Sequence, residues 1–568
     1  MPTQLPYRAG LDGLRAVAVA AVLLYHADIA WFQGGFVGVD VFFVLSGYLI
    51  TSLLLTERAA SGTVRLGRFW ARRARRLLPA AVLVIAVSLL IVAAFQPGSL
   101  GSARGDALAS LLYVNNWHEI VAGHSYFAAF ARPSLVQHLW SLSVEEQFYL
   151  LWPPLLAVAA ARMRRGRVAW LLLGGIVVST ALCALLYRGG DPSRVYYGTD
   201  TRAAPLLLGA LLAFGWPAAR LTRDVGRGAS GVLDAIGLAG LAGLLVAIVT
   251  WRDFDPWLYP WGLLVVALAS AAIVAAAVHP AARVGRFLGV GPLRWIGQRS
   301  YGIYLWHWPV MALTRPGIDV SASRWVLAPA QIGLAVALAA LSFRFVEQPI
   351  RRGEALRWLE RQAPRARLAA VTAGAVAVAV VAGWAFSRSV PVTARAQVSS
   401  PAARVVDARR VSHPASRPRV LAVGASVMLG ARAALERRLG PRTLVDAAVG
   451  RQTGDVIERL AAYRAAGRLP PRVVVQLGDN GPVWGADARR LRAALRGVRR
   501  VVLVNVRVPR SWEGEVDGML VQAARGWPAA RLADWRAASG RGDLLYDGAH
   551  PNLAGQSVYA RVVARALR

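Results

Sequence analysis

The chain has 568 residues, 56% of them hydrophobic, and a formal charge of +35, with a mean hydropathy of +0.43. That is too apolar for an ordinary soluble protein of this length. Nucleic acid, the usual partner of so basic a chain, is not expected, because most of the arginines sit in short loops between apolar runs, where they set membrane topology; that every basic residue is arginine fits codon bias in a GC-rich genome.

Apolar runs long enough for a bilayer helix of about 20 residues are predicted near 12–32, 36–56, 77–96, 138–160, 168–187, 202–217, 231–250, 257–278, 300–314, 324–346 and 368–387. These make 10–11 spans, with 105–116 as a further interfacial helix. One set of alternate loops is rich in arginine, including Arg58 to Arg76, Arg162 to Arg167, Arg220 to Arg227, Arg283 to Arg299 and Arg351 to Arg367. The positive-inside rule places that set, and the N-terminus, in the cytoplasm. An odd number of spans then puts everything after about residue 388 outside. The lone Cys183 permits no intrachain disulfide.

Charged groups inside a bilayer are costly and usually mark function. Arg15 and His26 share the first span, eleven residues apart. At about 100° per residue they point the same way, with His26 about 16 Å further along. Asp40 opens the second span, where Gly47 allows close helix approach. Glu145 and Glu146 are adjacent, so on a helix they point about 100° apart. One can face a polar cavity while the other pairs elsewhere. Arg72, Arg73, Arg75 and Arg76 form a run suited to phosphate, or equally to anchoring the topology. Trp306-His307-Trp308 reads as an aromatic belt with a polar histidine.

Several ordered blocks here resemble the acyltransferase-3 family. They are Asp12-Gly-Leu-Arg-Ala16 with Tyr25-His26, Gly38 to Ile50, Trp140 to Tyr149, Ser300 to Pro309, and Val346 to Arg351. The resemblance covers about residues 6–352. It implies O-acylation of an extracytoplasmic sugar, with acyl-coenzyme A as the cytoplasmic donor and acetyl as the default group. It implies no bound cofactor and no metal. It assigns Arg15, His26 and Glu145 to catalysis and the four arginines 72, 73, 75 and 76 to binding acyl-coenzyme A. In the mechanism expected here, His26, held with Arg15 and Glu145, acts as base or transient acceptor as the acyl group crosses.

After a polar stretch at 388–418, short apolar strands are expected at Val420–Val423, Thr443–Ala448, Val473–Leu477 and Val501–Val506, with helices near 428–439, 454–467 and 486–497. That alternation predicts a parallel sheet covered on both faces. Ser426 follows the first strand, where open α/β sheets place nucleophiles. Asp547 and His550 lie in one turn, so the carboxylate can orient an imidazole that activates a hydroxyl. The Gly450 N–H and the Asn480 amide could stabilise an oxyanion.

In this order the four blocks resemble the SGNH (GDSL-like) hydrolase superfamily over 418–568. Two departures stand out: Ala425 precedes the serine in place of aspartate, and Asp479 precedes Asn480 in place of a small residue. Asp479 is expected to face away from the oxyanion. The expected organisation is an acyltransferase transmembrane domain over 1–352, a cytoplasmic loop and final span over 353–387, a linker over 388–418 and an SGNH-like domain of flavodoxin-like, parallel-sheet type over 419–568. The protein is expected in the bacterial cytoplasmic membrane as a multi-pass enzyme with an extracytoplasmic C-terminal domain. Its acceptor would be an envelope glycan: peptidoglycan, lipopolysaccharide or another polysaccharide. The rival readings are an exporter of an envelope precursor and an envelope esterase.

Overall fold

The computed structural model describes all residues except 1–4, 128–131, 188–190, 256, 317–318, 321, 354–417, 449, 509, 511, 541 and 546–547. The expected span at 368–387 and nearly all of the linker lie outside the described residues.

The N-terminal region is helical. Its elements are α1 Ala9–His26, α2 Gly38–Ser61, α3 Leu66–Phe95, α4 Leu100–Leu111, α5 Asn115–Ala122, α6 Leu139–Arg162, α7 Arg165–Leu186 and α8 Ser193–Tyr197. There follow α9 Thr199–Gly215, α10 Arg227–Thr250, α11 Leu263–Val278, α12 Val284–Leu288, α13 Gly291–Leu313, α14 Arg324–Ser342 and the short α15 Gln348–Arg351. Among the described residues, six helices are long and apolar enough to cross a membrane: Ala9–His26, Gly35–Ser61, Leu66–Phe95, Arg165–Leu186, Arg227–Thr250 and Arg324–Arg351. Ala-, Leu- and Val-rich runs favour this state because a helix satisfies its own backbone polar groups where water is absent. On α7, Trp170, Leu171, Val177 and Leu185 are exposed, an apolar outer surface suited to lipid. The expected interfacial helix is two helices, α4 and α5, broken at Tyr113, which has φ +55°.

The helices meet through small residues, as Gly47 suggested. A Cβ on Gly47 would sit 1.9 Å from the Leu206 carbonyl oxygen, and one on Gly209 would sit 2.1 Å from that of Val44. Only glycine lets α2 and α9 lie so close. The same contact buries an ion pair, Arg202 to Asp40 at 3.0 Å, with both side chains almost fully covered. Asp40 therefore serves helix packing. Removing one partner of such a pair would leave an uncompensated charge, at a cost of about 3–5 kcal/mol.

The C-terminal domain is a five-stranded sheet ordered β2-β1-β3-β4-β5, every pair parallel. The strands are β1 Val420–Gly424, β2 Thr443–Ala447, β3 Arg472–Gln476, β4 Arg500–Val504 and β5 Ala530–Ala533. Helices α16 Ser426–Gly430, α17 Arg432–Leu439, α18 Thr453–Ala465, α19 Gly485–Ala494, α20 Glu513–Arg525, α21 Trp535–Ala538 and α22 Leu553–Leu567 cover it. Strand order reverses between β1 and β3, which opens a crevice beyond their C-terminal ends. Ser426 follows β1 and Asn480 follows β3, so both flank that crevice. The fifth strand, absent from the sequence expectation, has the burial pattern of an edge, with Arg531 exposed between buried Ala530 and Ala533.

Candidate active sites

His26 ends α1. Its Nε2 lies 2.8 Å from the Tyr126 hydroxyl, and its Nδ1 lies 3.1 Å from His307 Nε2. His307 is wholly buried, with its Nδ1 2.5 Å from the Tyr304 carbonyl. A carbonyl only accepts, so His307 donates through Nδ1 and, when neutral, accepts through Nε2. His26 must then donate through Nδ1, which leaves the Nε2 lone pair facing the Tyr126 hydroxyl. The bond pattern thus sets the tautomer of His26. Trp308 packs edge-on against the His26 ring at 4.8 Å, and a third imidazole, His138, lies 5.6 Å from that of His307.

At the other end of α1, a cavity of about 620 Å³ is lined by Arg8, Arg15, Arg73, Arg76, Arg351 and Arg352, together with Asp12, Ser46 and Tyr149. Arg15 is paired with Asp12 at 3.1 Å. Glu145 accepts from Ser46 at 2.7 Å, and Tyr149 donates to the same serine at 2.7 Å. Glu146 points elsewhere, 4.0 Å from Arg73, whose guanidinium stacks 3.8 Å over Tyr149. So many converging guanidinium groups suit an oligophosphate. Among the described residues, no group of three His, Cys, Asp or Glu side chains could hold a metal ion.

In the C-terminal domain, Ser426 opens α16 directly after β1. Its Oγ lies 2.9 Å from His550 Nε2, and both residues are buried. Gly450 takes φ +72°, a left-handed conformation that favours glycine. Asn480 donates through Nδ2 to the Arg451 carbonyl at 3.1 Å, tying the second block to the third. Arg451 is anchored by Asp446 Oδ1, while Oδ2 of the same carboxylate accepts from Arg459 and Tyr463. Burial raises the Asp446 carboxyl, but the hydrogen bonds and charge of Arg459 and Arg451 outweigh it and hold the group below its ordinary range. Asp479 is buried beside Asn480, and its Oδ1 accepts from Gln476 at 3.1 Å. Gln476 in turn accepts from Tyr559 of α22 at 2.6 Å. Burial pushes the Asp479 carboxyl up to about 7, against the opposing charge of His550 and the Gln476 bond.

Residues 8–344 match the acyltransferase domain family (Acyl_transf_3). The chain belongs to this family. It is 34% identical, over 98% of its own length and 97% of the relative's, to the peptidoglycan O-acetyltransferase OatA of Listeria monocytogenes. It is 33% identical to the O-acetyltransferase OatA of Staphylococcus aureus, over 99% of its own length and 96% of the relative's. Among solved structures, the C-terminal catalytic domain of Streptococcus pneumoniae OatA aligns with 26% of this chain and 92% of that domain, at 23% identity and a TM-score of 0.25.

Within this O-acyltransferase, the residues expected to act together fall into three groups. Arg15 lines the arginine-lined cavity and Glu145 bonds Ser46 of its wall, whereas His26 lies eleven residues along α1, about 16 Å away. They do not hold His26, as the expected mechanism had it; His307 and Tyr126 contact it instead. Of the arginine run, Arg73 and Arg76 line the cavity. Arg72 instead reaches toward Glu57 at 3.5 Å, and Arg75 is exposed. Arg8, Arg351 and Arg352 complete the lining from distant parts of the sequence. Ser426, His550, Gly450 and Asn480 all sit at the sheet crevice, and Asp547 lies outside the described residues. The largest omission was His307. Its flanking tryptophans suggested a belt, but its place within Ser300 to Pro309, a block quoted for the family resemblance, was the available signal.

Proposed function

We infer that this enzyme carries an acetyl group from acyl-coenzyme A in the cytoplasm to hydroxyl groups of peptidoglycan outside the cytoplasmic membrane. Peptidoglycan is favoured over the other envelope glycans because relatives matched along their whole length carry it in their names. The arginine distribution between spans supports a cytoplasmic cavity and an extracytoplasmic serine domain.

The observation that carries this reading is that the chain contains two histidine–hydroxyl pairs of nearly equal N···O distance, 2.8 Å in the helical domain and 2.9 Å in the sheet domain. Acyl-coenzyme A places its phosphates among Arg73, Arg76 and their neighbours. His26 Nε2 takes the proton of Tyr126 as its oxygen attacks the thioester carbonyl, and the thiol of coenzyme A leaves with that proton. His550 then takes the proton of Ser426 as the acyl group passes to its Oγ, with Asp547 orienting the imidazole. Gly450 and Asn480 face the tetrahedral oxyanion. A sugar hydroxyl finally gives its proton to His550 as its oxygen attacks the acyl carbon, and the departing Ser426 Oγ takes that proton from His550.

The test is the ester content of peptidoglycan from cells expressing the native chain, His26→Ala or Ser426→Ala at equal levels. Loss in both variants is the expected result. Loss in His26→Ala alone would mean direct transfer from the helical domain. Esters retained in both would refute the acyltransferase relay and favour export.

A further inference from the structure

The two histidine–hydroxyl pairs are joined by a loop that neither of them needs for its own chemistry. This loop follows α10 and runs through Arg252, Asp253 and Phe254. Asp253 accepts a hydrogen bond from Tyr25, the neighbour of His26, at 3.0 Å, and its carbonyl accepts from Tyr259 at 2.5 Å. Phe254 is 5% exposed. Its ring lies 5.6 Å from that of Phe127, the neighbour of Tyr126, in a T-shaped pair. It makes a second T-shaped pair with Trp512 of the C-terminal domain at 5.5 Å. Trp512 donates to the Gly478 carbonyl at 3.1 Å, at the start of the turn that carries Asn480. A Cβ on Gly481 of that turn would lie 3.3 Å from the Phe254 ring. Outside this apolar contact, Arg252 pairs with Glu515 at 2.7 Å, both about half exposed.

An exposed ion pair adds little to docking, so the buried aromatic contact decides it. Trp512 and the Gly481 turn pack against Phe254 from the C-terminal domain. Phe254 links the wall of one site to the oxyanion turn of the other through aromatic side chains, and such a seam excludes water. Water matters here because an acyl group passing between two hydroxyls can be lost to hydrolysis.

We propose that this loop is a docking strut that seats the Ser426 site against the His26 end of the helical domain, with Phe254 as its positioning residue. The proposal rests on the relay described above. In the step it serves, a bond forms from Ser426 Oγ to the acyl carbonyl carbon and the bond from that carbon to the Tyr126 oxygen breaks. The serine proton passes to His550, which returns it to the departing Tyr126 oxygen.

The test uses the full chain in membranes. Phe254→Ala should lower peptidoglycan ester content by about tenfold, the scale expected when reacting groups are misplaced. Hydrolysis of soluble nitrophenyl acetate by Ser426 in the same preparation should be unchanged. Arg252→Cys with Glu515→Cys should be joined by a short bis-maleimide, read on a denaturing gel after cleavage at a protease site inserted within 388–418. Adding Phe254→Ala should abolish that cross-link; Cys183 is buried and does not compete. Native ester content in Phe254→Ala, or no cross-link in the chain with Phe254 intact, overturns the strut. If Phe254→Ala also loses hydrolysis, Phe254→Leu, which keeps an apolar side chain, decides. It should keep hydrolysis and still lower ester content, and native ester content in that variant overturns the strut. Ser426→Ala, run in parallel, separates the two ideas: esters retained there refute the relay itself, whatever Phe254 does.

Discussion

The helical and sheet domains each aim an imidazole Nε2 at a hydroxyl, at nearly equal distance, but carry that imidazole on different elements. In the helical domain it ends a helix and contacts a second histidine, His307, itself bonded to the carbonyl of Tyr304 one turn earlier on α13. In the sheet domain the histidine lies in the loop before α22, and the serine stands at the end of a strand. A buried helix offers carbonyls and few places for a charged carboxylate, whereas a strand-end crevice accommodates polar loops. The same acid–base pairing has thus been built from the groups each environment supplies.

Substitutions that silence one pair and spare the other sharpen this comparison. The largest effect is expected for His550→Ala, which should cut Ser426-dependent ester hydrolysis by on the order of 10⁴-fold or more. Residual hydrolysis near the native rate would mean that Ser426 is not activated by His550. Next, His307→Ala should lower peptidoglycan esterification by about 10²–10³-fold through loss of the His26 tautomer. Hydrolysis at Ser426 should not change; if it does, the two pairs are not separate. Arg73→Ala should raise the KM for acyl-coenzyme A about tenfold, while the exposed Arg75→Ala should not move it. Equal effects would remove the argument from the cavity.

The smallest effect concerns Asp479. Burial raises its carboxyl from an ordinary 3.8 to about 7. Between those values the folded chain holds a proton that the unfolded chain releases, so stability falls as pH rises through this window and levels off above it. Above about 7 the anion also opposes an oxyanion at Asn480. Asp479→Asn should therefore flatten the pH dependence of the melting temperature between about 4 and 7. It should also increase hydrolysis above neutral pH by a few-fold. An alkaline limb identical to the native one would mean that Asp479 is remote from the reacting oxygen.

Much of this architecture was legible in the sequence because it rests on local patterns. Apolar runs gave the helices, alternating apolar strands and helices gave the parallel sheet, and adjacency alone set Glu145 and Glu146 on different faces. What depended on long-range contacts was not legible. β5 is Ala-Arg-Leu-Ala, too short and too mixed to stand out, and it is a strand because β4 lies beside it. Asp40 gave no hint of Arg202, which lies 162 residues away. Arg15 and His26 share a helix face, and that shared direction suggested a shared site. The rise of the helix separates them, and His307 comes to His26 from a part of the chain 281 residues distant.

The polarity of the His26–His307 chain carries a consequence for charge movement. His307 donates to a peptide carbonyl, and a carbonyl is a poor relay for a proton. A proton taken up by His26 therefore meets a dead end on that side and leaves by the edge at which it arrived. Each turnover at that pair would then be electrically silent along this path, and the membrane potential would do no work on it.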